Sequence, residues 1–443
     1  MKRVVVVGAG PVGVVTAIGL ARRGHAVTVV DRDPGPPRQG TWTRSGVGQF
    51  RHPHGFRPTV HAVLSELMPD VWATLVDVGC VPGTPPGAPP GTVTLRARRS
   101  TFERGMRRAL SEQPGVRLVV GQAEEIVIER SRLAGVRVSG RVVEADLVVV
   151  ATGRAGRLGD PFRAEADGGP CGLSYTSRMY RGRPGTTWAF PAVPMPAAGD
   201  GYLSIVFPQD DNTLSALVVR PTTDVALAQL RHNDVFDAVA AAIPNLAPWV
   251  DPARSVPITD AMAGGGLANS FRSGLDVTGR CAVPGLFFVG DAVLTTNPQA
   301  GRGIATGLQQ VRALLRLLAE HPDPADVAVA FDAWCVTNLR PWFTDHVHWD
   351  ATLLRRWAGH DLDLQDRIPS DVVCAAADVD PRIKGAAMAY GAMAALPHVL
   401  DPFQEITRAL LRTGWRPPLP TGPSRDDLAG LVDRHRSVAP AAR

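Results

Sequence analysis

With 443 residues, 45% of them hydrophobic, the chain is long enough to bury more than one core and is neither a disordered nor a fibrous sequence. Its net charge of +5 comes from arginine, since Lys2 and Lys384 are the only lysines among 47 basic residues; the densest basic run, RARRSTFERGMRRAL (96–110), holds one aromatic residue, which argues against a nucleic-acid surface. Cys80, Cys171, Cys281, Cys335 and Cys374 form no CxxC pair, so no disulfide scaffold and no metal site is expected, and a reducing cytoplasm fits.

The first 20 residues contain VVVVGAGPVGVVTAIGL, uncharged throughout, yet glycines and a proline interrupt it and no membrane span is expected. Four valines predict a buried strand, VVTAIGLARRG a helix ended by Gly24, and HAVTVVD a second strand closing on Asp31. A glycine pattern inside a strand-turn-helix-strand unit, with an acidic residue about twenty positions on, is a dinucleotide fingerprint. Gly8 permits the turn, Gly10 lets a pyrophosphate reach the backbone of Pro11 and Val12, and Gly13 lets helix and strand pack closely. Asp31, followed by Arg32, is placed to accept ribose hydroxyls and to repel a 2′-phosphate.

The loop QFRHPHGFRP carries His52 and His54, candidate pocket residues able in principle to act as acid or base. VPGTPPGAPPGT (81–92) reads as a surface loop of no assigned role. Between about residues 155 and 275, GYLSIVFPQDDNTLSALVVRP predicts two strands joined at QDDN, and GTTWAFPAVPMP a further strand. Farther on, CAVPGLFFVGDAVLTTNPQAGRGIATGLQQVRALLRLL predicts a buried strand, Asp291, a second glycine loop and an amphipathic helix.

This second loop resembles the second FAD motif of the flavin monooxygenase superfamily, which includes para-hydroxybenzoate hydroxylase, styrene monooxygenase, flavin-dependent halogenases and geranylgeranyl reductases, and the resemblance covers residues 1 to about 320. It implies a doubly wound, Rossmann-like α/β FAD-binding domain (1–154 and 276–325), an inserted β-sheet substrate domain (155–275) and a helical C-terminal cap (326–443). It also implies that Gly290 and Asp291 meet the ribityl chain, and that Pro298, Gly301, Gly303 and Ile304 present a helix N-terminus to the flavin. By the same resemblance TRSGVGQF brings Arg44 to the cofactor, RRSTFERGMRRAL brings Arg99, and the strand near Ala123 offers backbone to adenine. FAD is long enough to need both loops.

The implied activity is insertion of one oxygen atom from O2, by hydroxylation or epoxidation, into an aromatic, indolic or polyketide-like small molecule, with NAD(P)H as ultimate electron donor. Thr152-Gly153 stands where many single-component hydroxylases carry Asp-Gly, which is closer to the styrene monooxygenase type and its separate flavin reductase. Gln310 stands where the family often has aspartate. The halogenase lysine and GWxWxIP stretch are absent; a flavin dehydrogenase, oxidase or reductase on the same fold stays open, whereas the two intact glycine loops and Asp291 argue against a carrier that has lost FAD. Beyond residue 325, Trp334, Trp342, Trp349 and Trp357 recur at near-helical spacing, a core stripe interrupted at Pro341, and GAAMAYGAMAALPHVL predicts a buried or oligomer-forming helix. The oligomeric state is not legible.

Overall fold

The computed structural model of the chain describes residues 1–37, 40–44 and 46–438, so Ser45 of the arginine loop and residues 439–443 lie outside the described residues. Its first layer is a five-stranded parallel sheet in the order Leu286–Phe288, Leu147–Val150, Arg3–Val7, Ala26–Asp31, Val116–Val120. Val4 to Val7 are buried on both faces, which is why the strand reads as continuous valine rather than as an alternation.

The predicted helix runs from Pro11 to Ala21 with proline in its first turn, where the missing N–H costs nothing. The second long helix, Gly303–Glu320, lies against it: a Cβ on Gly307 would collide with Val12, and one on Gly290 would sit 3.4 Å from the Val12 methyls. Two glycine loops separated by nearly the whole domain therefore open into one crevice at the carboxyl ends of the parallel strands, the ligand position of such sheets. Gln310 holds the second loop in place. Fully buried on that helix, it accepts the Gly290 N–H at 2.7 Å and turns its amide toward the Gly290 carbonyl, a pairing a carboxylate would make only in part.

The second layer is a six-stranded antiparallel sheet built on Leu173–Gly182, Tyr202–Pro208 and Thr213–Pro221. The expected QDDN turn is present, with Asp211 and Asn212 in left-handed conformation. The strand expected within GTTWAFPAVPMP begins only at Met195, its prolines removing ladder donors before that point. One face of this sheet packs on the helix Asn233–Ala242 and on Leu428 and Val432 of the C-terminal helix; the other carries Tyr175, Phe207 and Leu217.

The chain's C-terminal helices have no core of their own. Phe331, Trp342, Tyr390 and Leu411 belong to the same buried cluster as Val4 and Val148. Pro341 falls in the first turn of the helix Arg340–Trp357, after the helix Pro324–Asn338 has ended. The run GAAMAYGAMAALPHVL is not one helix: a helix spans Lys384–Gly391, and a 3₁₀ segment follows at Pro397–Phe403. No helix among the described residues is long and apolar enough to cross a membrane.

Candidate functional site: a two-ended cleft

The crevice continues as one cleft with two ends. At one end it is lined by Gly8, Asp31, Arg32, Arg44 and Ala123; at the other by Pro298, Gly301, Gly303, Ile304 and His54. Gly10, Gln49, Arg99, Gly153, Arg154 and Asp291 line both, so the two ends share a waist. Pro11, Val12 and Gly290 border the second end. Of the cofactor and pocket candidates named from the sequence, Gly13 and His52 do not line the cleft.

The fit to a long dinucleotide rests on where a Cβ would go. At Gly8 it would strike the Ala151 carbonyl, and at Gly13 the Gly8 carbonyl, so both glycines serve the tight turn and the strand-helix contact. At Gly10 the nearest protein atom would be Arg44 Nη1 at 3.9 Å, so that face looks into open cleft. Gly301, at φ 63°, takes the left-handed conformation that turns the second loop into its helix.

A buried charge network holds the waist. Glu103, 1% exposed, accepts Arg44 Nη1 and Arg99 Nε, each at 2.5 Å, on its two oxygens. Arg44 Nη2 also donates to Asp31 Oδ2 at 2.8 Å, and Arg107 donates to Asp33 at 3.2 Å. Asp31 is more occupied than expected, since the Ala9 N–H reaches Oδ2 at 2.6 Å and the Asp33 N–H reaches Oδ1 at 2.8 Å. Its carboxylate therefore ties the first loop to the second strand before any ribose is considered. Asp291, by contrast, opens onto the cleft, and the surrounding protein raises its carboxyl above the ordinary range while Arg99 and Arg154 oppose the shift.

The two histidines part company. His54 donates its Nδ1–H to the His52 carbonyl at 3.0 Å, so its Nε2 accepts from Arg99 at 3.0 Å. Burial, with Arg99 beside it, pushes its pKa down to about 3, which leaves a neutral ring with both nitrogens engaged. His52 is a correction to the expected pocket pair: it is buried behind the wall, bonded to Ser177 at 2.8 Å and set edge-on to Tyr175, with burial lowering its pKa to about 4. Neither ring is poised as an acid or base near neutrality. Tyr175, whose pKa burial lifts to about 12, faces the cavity as a neutral phenol beside Phe207 and Leu217.

The second loop is braced from behind. Asp350 accepts Asn269 Nδ2 at 2.7 Å and Asn297 Nδ2 at 2.9 Å, and the Asn297 N–H donates to Asn269 Oδ1 at 2.7 Å. Burial pushes the Asp350 pKa up to about 6 despite those two bonds. A carboxyl raised in the folded state from the 3.8 of an exposed one holds its proton while the unfolded chain has lost it, so its contribution is retained below about pH 4 and lost as pH rises to about 6. Urea unfolding at several pH values should show wild-type stability falling relative to Asp350→Asn by about 3 kcal/mol over that window, from about two pKa units at 1.36 kcal/mol each. Parallel curves for the two proteins would dismiss the assignment.

Glu103, Arg154 and Gln49 were not singled out in the sequence. Glu103 had one signal, a lone carboxylate four residues after Arg99 on a helical face. Arg154 stands where three cavities meet and, among the described residues, makes one hydrogen bond, to the Gly266 carbonyl at 3.2 Å.

A parallel sheet crossed by two glycine loops, a sheet roofing the second loop and helices behind it make up the FAD-binding fold of flavin-dependent monooxygenases and halogenases. Residues 3–86 match the FAD dependent oxidoreductase family, and residues 84–170 match the family of glucose inhibited division protein A. Among solved structures, the chain is similar to a triple mutant of the flavin-dependent brominase Bmp2 (TM-score 0.64, 15% identity, 94% of this chain and 99% of that one). It is also similar to PqsL, a probable FAD-dependent monooxygenase from Pseudomonas aeruginosa (TM-score 0.62, 15% identity, 81% and 98%), and to the flavin-dependent halogenase CmlS (0.62, 16%, 98% and 77%). In sequence, 48 residues are 50% identical to a D-amino acid dehydrogenase of Rhizobium johnstonii, a stretch that is 11% of this chain and 12% of that relative.

Proposed function

We propose that the chain is an FAD-dependent monooxygenase that places one oxygen atom of O2 on an aromatic, indolic or polyketide-like small molecule. The observation that carries the reading is the continuity of the cleft: the nucleotide loop leads past Asp291 into a chamber between the Pro298–Gly303 turn and the sheet face of Tyr175, Phe207 and Leu217. The first loop and Arg44 would hold the adenosine and pyrophosphate, and Asp291 and the second loop the ribityl chain and ring. Bound FAD supplies the redox chemistry and the activation of O2.

What the chain contributes is binding, orientation and exclusion of water. Tyr175, Phe207 and Leu217 give the chamber one largely apolar wall, and the neutral Tyr175 and His54 offer no strong acid to quench a reactive oxygen species. Neither histidine of the loop is poised as a base, which favours attack on an electron-rich carbon, a step that needs position more than proton abstraction. A flavin dehydrogenase or oxidase is the second reading, favoured by the dehydrogenase match; that match covers only 48 residues. Incubation with a flavin reductase, NADH and candidate substrates under ¹⁸O₂ tests the choice: label in the product is expected, and oxidised product without label would select the dehydrogenase.

The electron donor is part of the proposal. Thr152 stands where many single-component hydroxylases carry aspartate, and its hydroxyl is buried without a hydrogen-bond partner among the described residues, so no carboxylate is offered there for NADPH binding. Reduction by a separate flavin reductase is therefore expected. Rapid anaerobic bleaching of the purified holoenzyme by NADH or NADPH alone would overturn this.

A further inference from the structure

Behind the second glycine loop lie two guanidinium groups that binding of a pyrophosphate does not account for. Arg57, just ahead of the helix Pro58–Leu67, donates through Nε (3.0 Å) and Nη2 to the Ala300 carbonyl and through Nη1 to the Gly391 carbonyl at 2.8 Å. Arg302, between Gly301 and Gly303 and 2% exposed, turns away from the crevice waist into the C-terminal helices. Its guanidinium lies 4.3 Å from the Trp342 ring centroid, 4.6 Å from Tyr390 and 6.0 Å from Trp349, and it donates to His346 Nε2 at 2.8 Å.

Among the described residues one ion pair serves this pair of cations, and it belongs to Arg302 alone. Asp345 stands 3.6 Å from Arg302 and is itself engaged by the Tyr390 hydroxyl at 2.6 Å; Arg57 has no ion pair among the described residues. Burial and the neighbouring Arg302 push Arg57 down to about 10, so it is still charged at neutral pH. His346 adds no charge, because burial and then the two arginines hold its pKa well below the usual value, and its buried Nδ1 has no hydrogen-bond partner among the described residues. Burying cations with so little compensation is costly, and the arrangement is most intelligible if a negative charge arises nearby.

We propose that Arg302 and Arg57 are positioning residues for the flavin loop, which fix the backbone of Ala300–Gly303 and, as a buried positive pair, stabilise negative charge on the reduced flavin and raise its reduction potential. The inference rests on the FAD reading above and goes beyond it. A guanidinium clamped on the Ala300 carbonyl and another caged two residues later leave the intervening turn little freedom to move away from a ring. In a low-dielectric setting the field of a fixed cation is large and needs no reorganisation when the ring gains electrons.

The test is a photometric redox titration of the FAD-loaded protein against a reference dye. Arg302→Gln is expected to make reduction at least tenfold less favourable, about 30 mV for two electrons. Arg302→Lys, which keeps the charge, should recover most of that loss. Asp345→Asn removes the counter-charge and should move the potential the opposite way, upward, a sign that a merely structural role does not produce. A loaded Arg302→Gln at the wild-type potential, or Asp345→Asn shifting downward, overturns the proposal. If neither variant holds FAD, hydrogen exchange at the amides of 299–303 in the FAD-free proteins decides: faster exchange in Arg302→Gln supports positioning, and an unchanged rate rejects it. Wild-type protein that takes up no FAD would instead defeat the FAD reading itself.

Discussion

Gly10→Ala and Gly13→Ala should separate cleanly: the first should fold with wild-type stability and lose FAD, the second should lose both. At Gly10 the backbone is extended, φ −75° and ψ 177°, a conformation open to any residue, and a new Cβ would meet nothing closer than Arg44 Nη1 at 3.9 Å. Protein packing does not require glycine there, so a stability change within about 0.5 kcal/mol is expected. The same methyl would occupy space that the pyrophosphate must enter to reach the first helical amides, and loss of FAD affinity by a hundredfold or more, about 2.8 kcal/mol, is expected. At Gly13 a Cβ would overlap the Gly8 carbonyl oxygen and lie 3.0 Å from its carbon and 3.3 Å from Ala151 Cβ. The helix must then back away from the strand, at about 1–3 kcal/mol for overpacking, and the loop goes with it. Urea unfolding of the FAD-free proteins and equilibrium dialysis with FAD give both quantities. A Gly10→Ala protein that binds FAD normally would remove the pyrophosphate from the first loop.

That contrast marks how far the residue pattern alone reaches. The first loop was legible because everything it needs is local: a strand, three glycines, a helix and an acidic residue within one supersecondary unit. The second loop was legible through resemblance, since its strand and helix pack where the parallel sheet requires. What holds the loops was not legible, because the partners are distant in the chain. Gln310 reads as a departure from an expected aspartate until its amide is seen on both polar groups of Gly290. Arg57 and Ala300 are 243 positions apart, and no period or spacing connects them. The tryptophan stripe was correctly read as core at Trp342, but that it faces a guanidinium is a tertiary fact. His52 and His54 illustrate the same limit within three residues, since one faces the cavity and the other Ser177, and only the backbone turn between them decides which.

Glu103→Gln should destabilise the FAD-free protein by about 3 kcal/mol, and saturating FAD should reduce that deficit. Glu103 is 1% exposed and is the shared acceptor of Arg44 and Arg99 at the waist of the cleft. Glutamine keeps one acceptor and turns N–H groups toward the other arginine, so one of two charge-assisted bonds is replaced by a donor facing a donor. Breaking a buried pair from one side costs about 3–5 kcal/mol. Arg44 retains Asp31 at 2.8 Å, which places the expected loss at the low end. If Arg44 and Arg99 face the pyrophosphate, its negative charge replaces part of what the variant has lost, so by linkage the variant should gain more stability from FAD than the wild type does. Because both arginines border the cleft, that extra gain should shrink as salt is raised. Thermal unfolding with and without FAD, at low and high salt, measures all of this. A deficit that FAD leaves unchanged at low salt would mean that Glu103 braces the helix Arg99–Glu112 alone, with the two arginines taking no part in holding the cofactor.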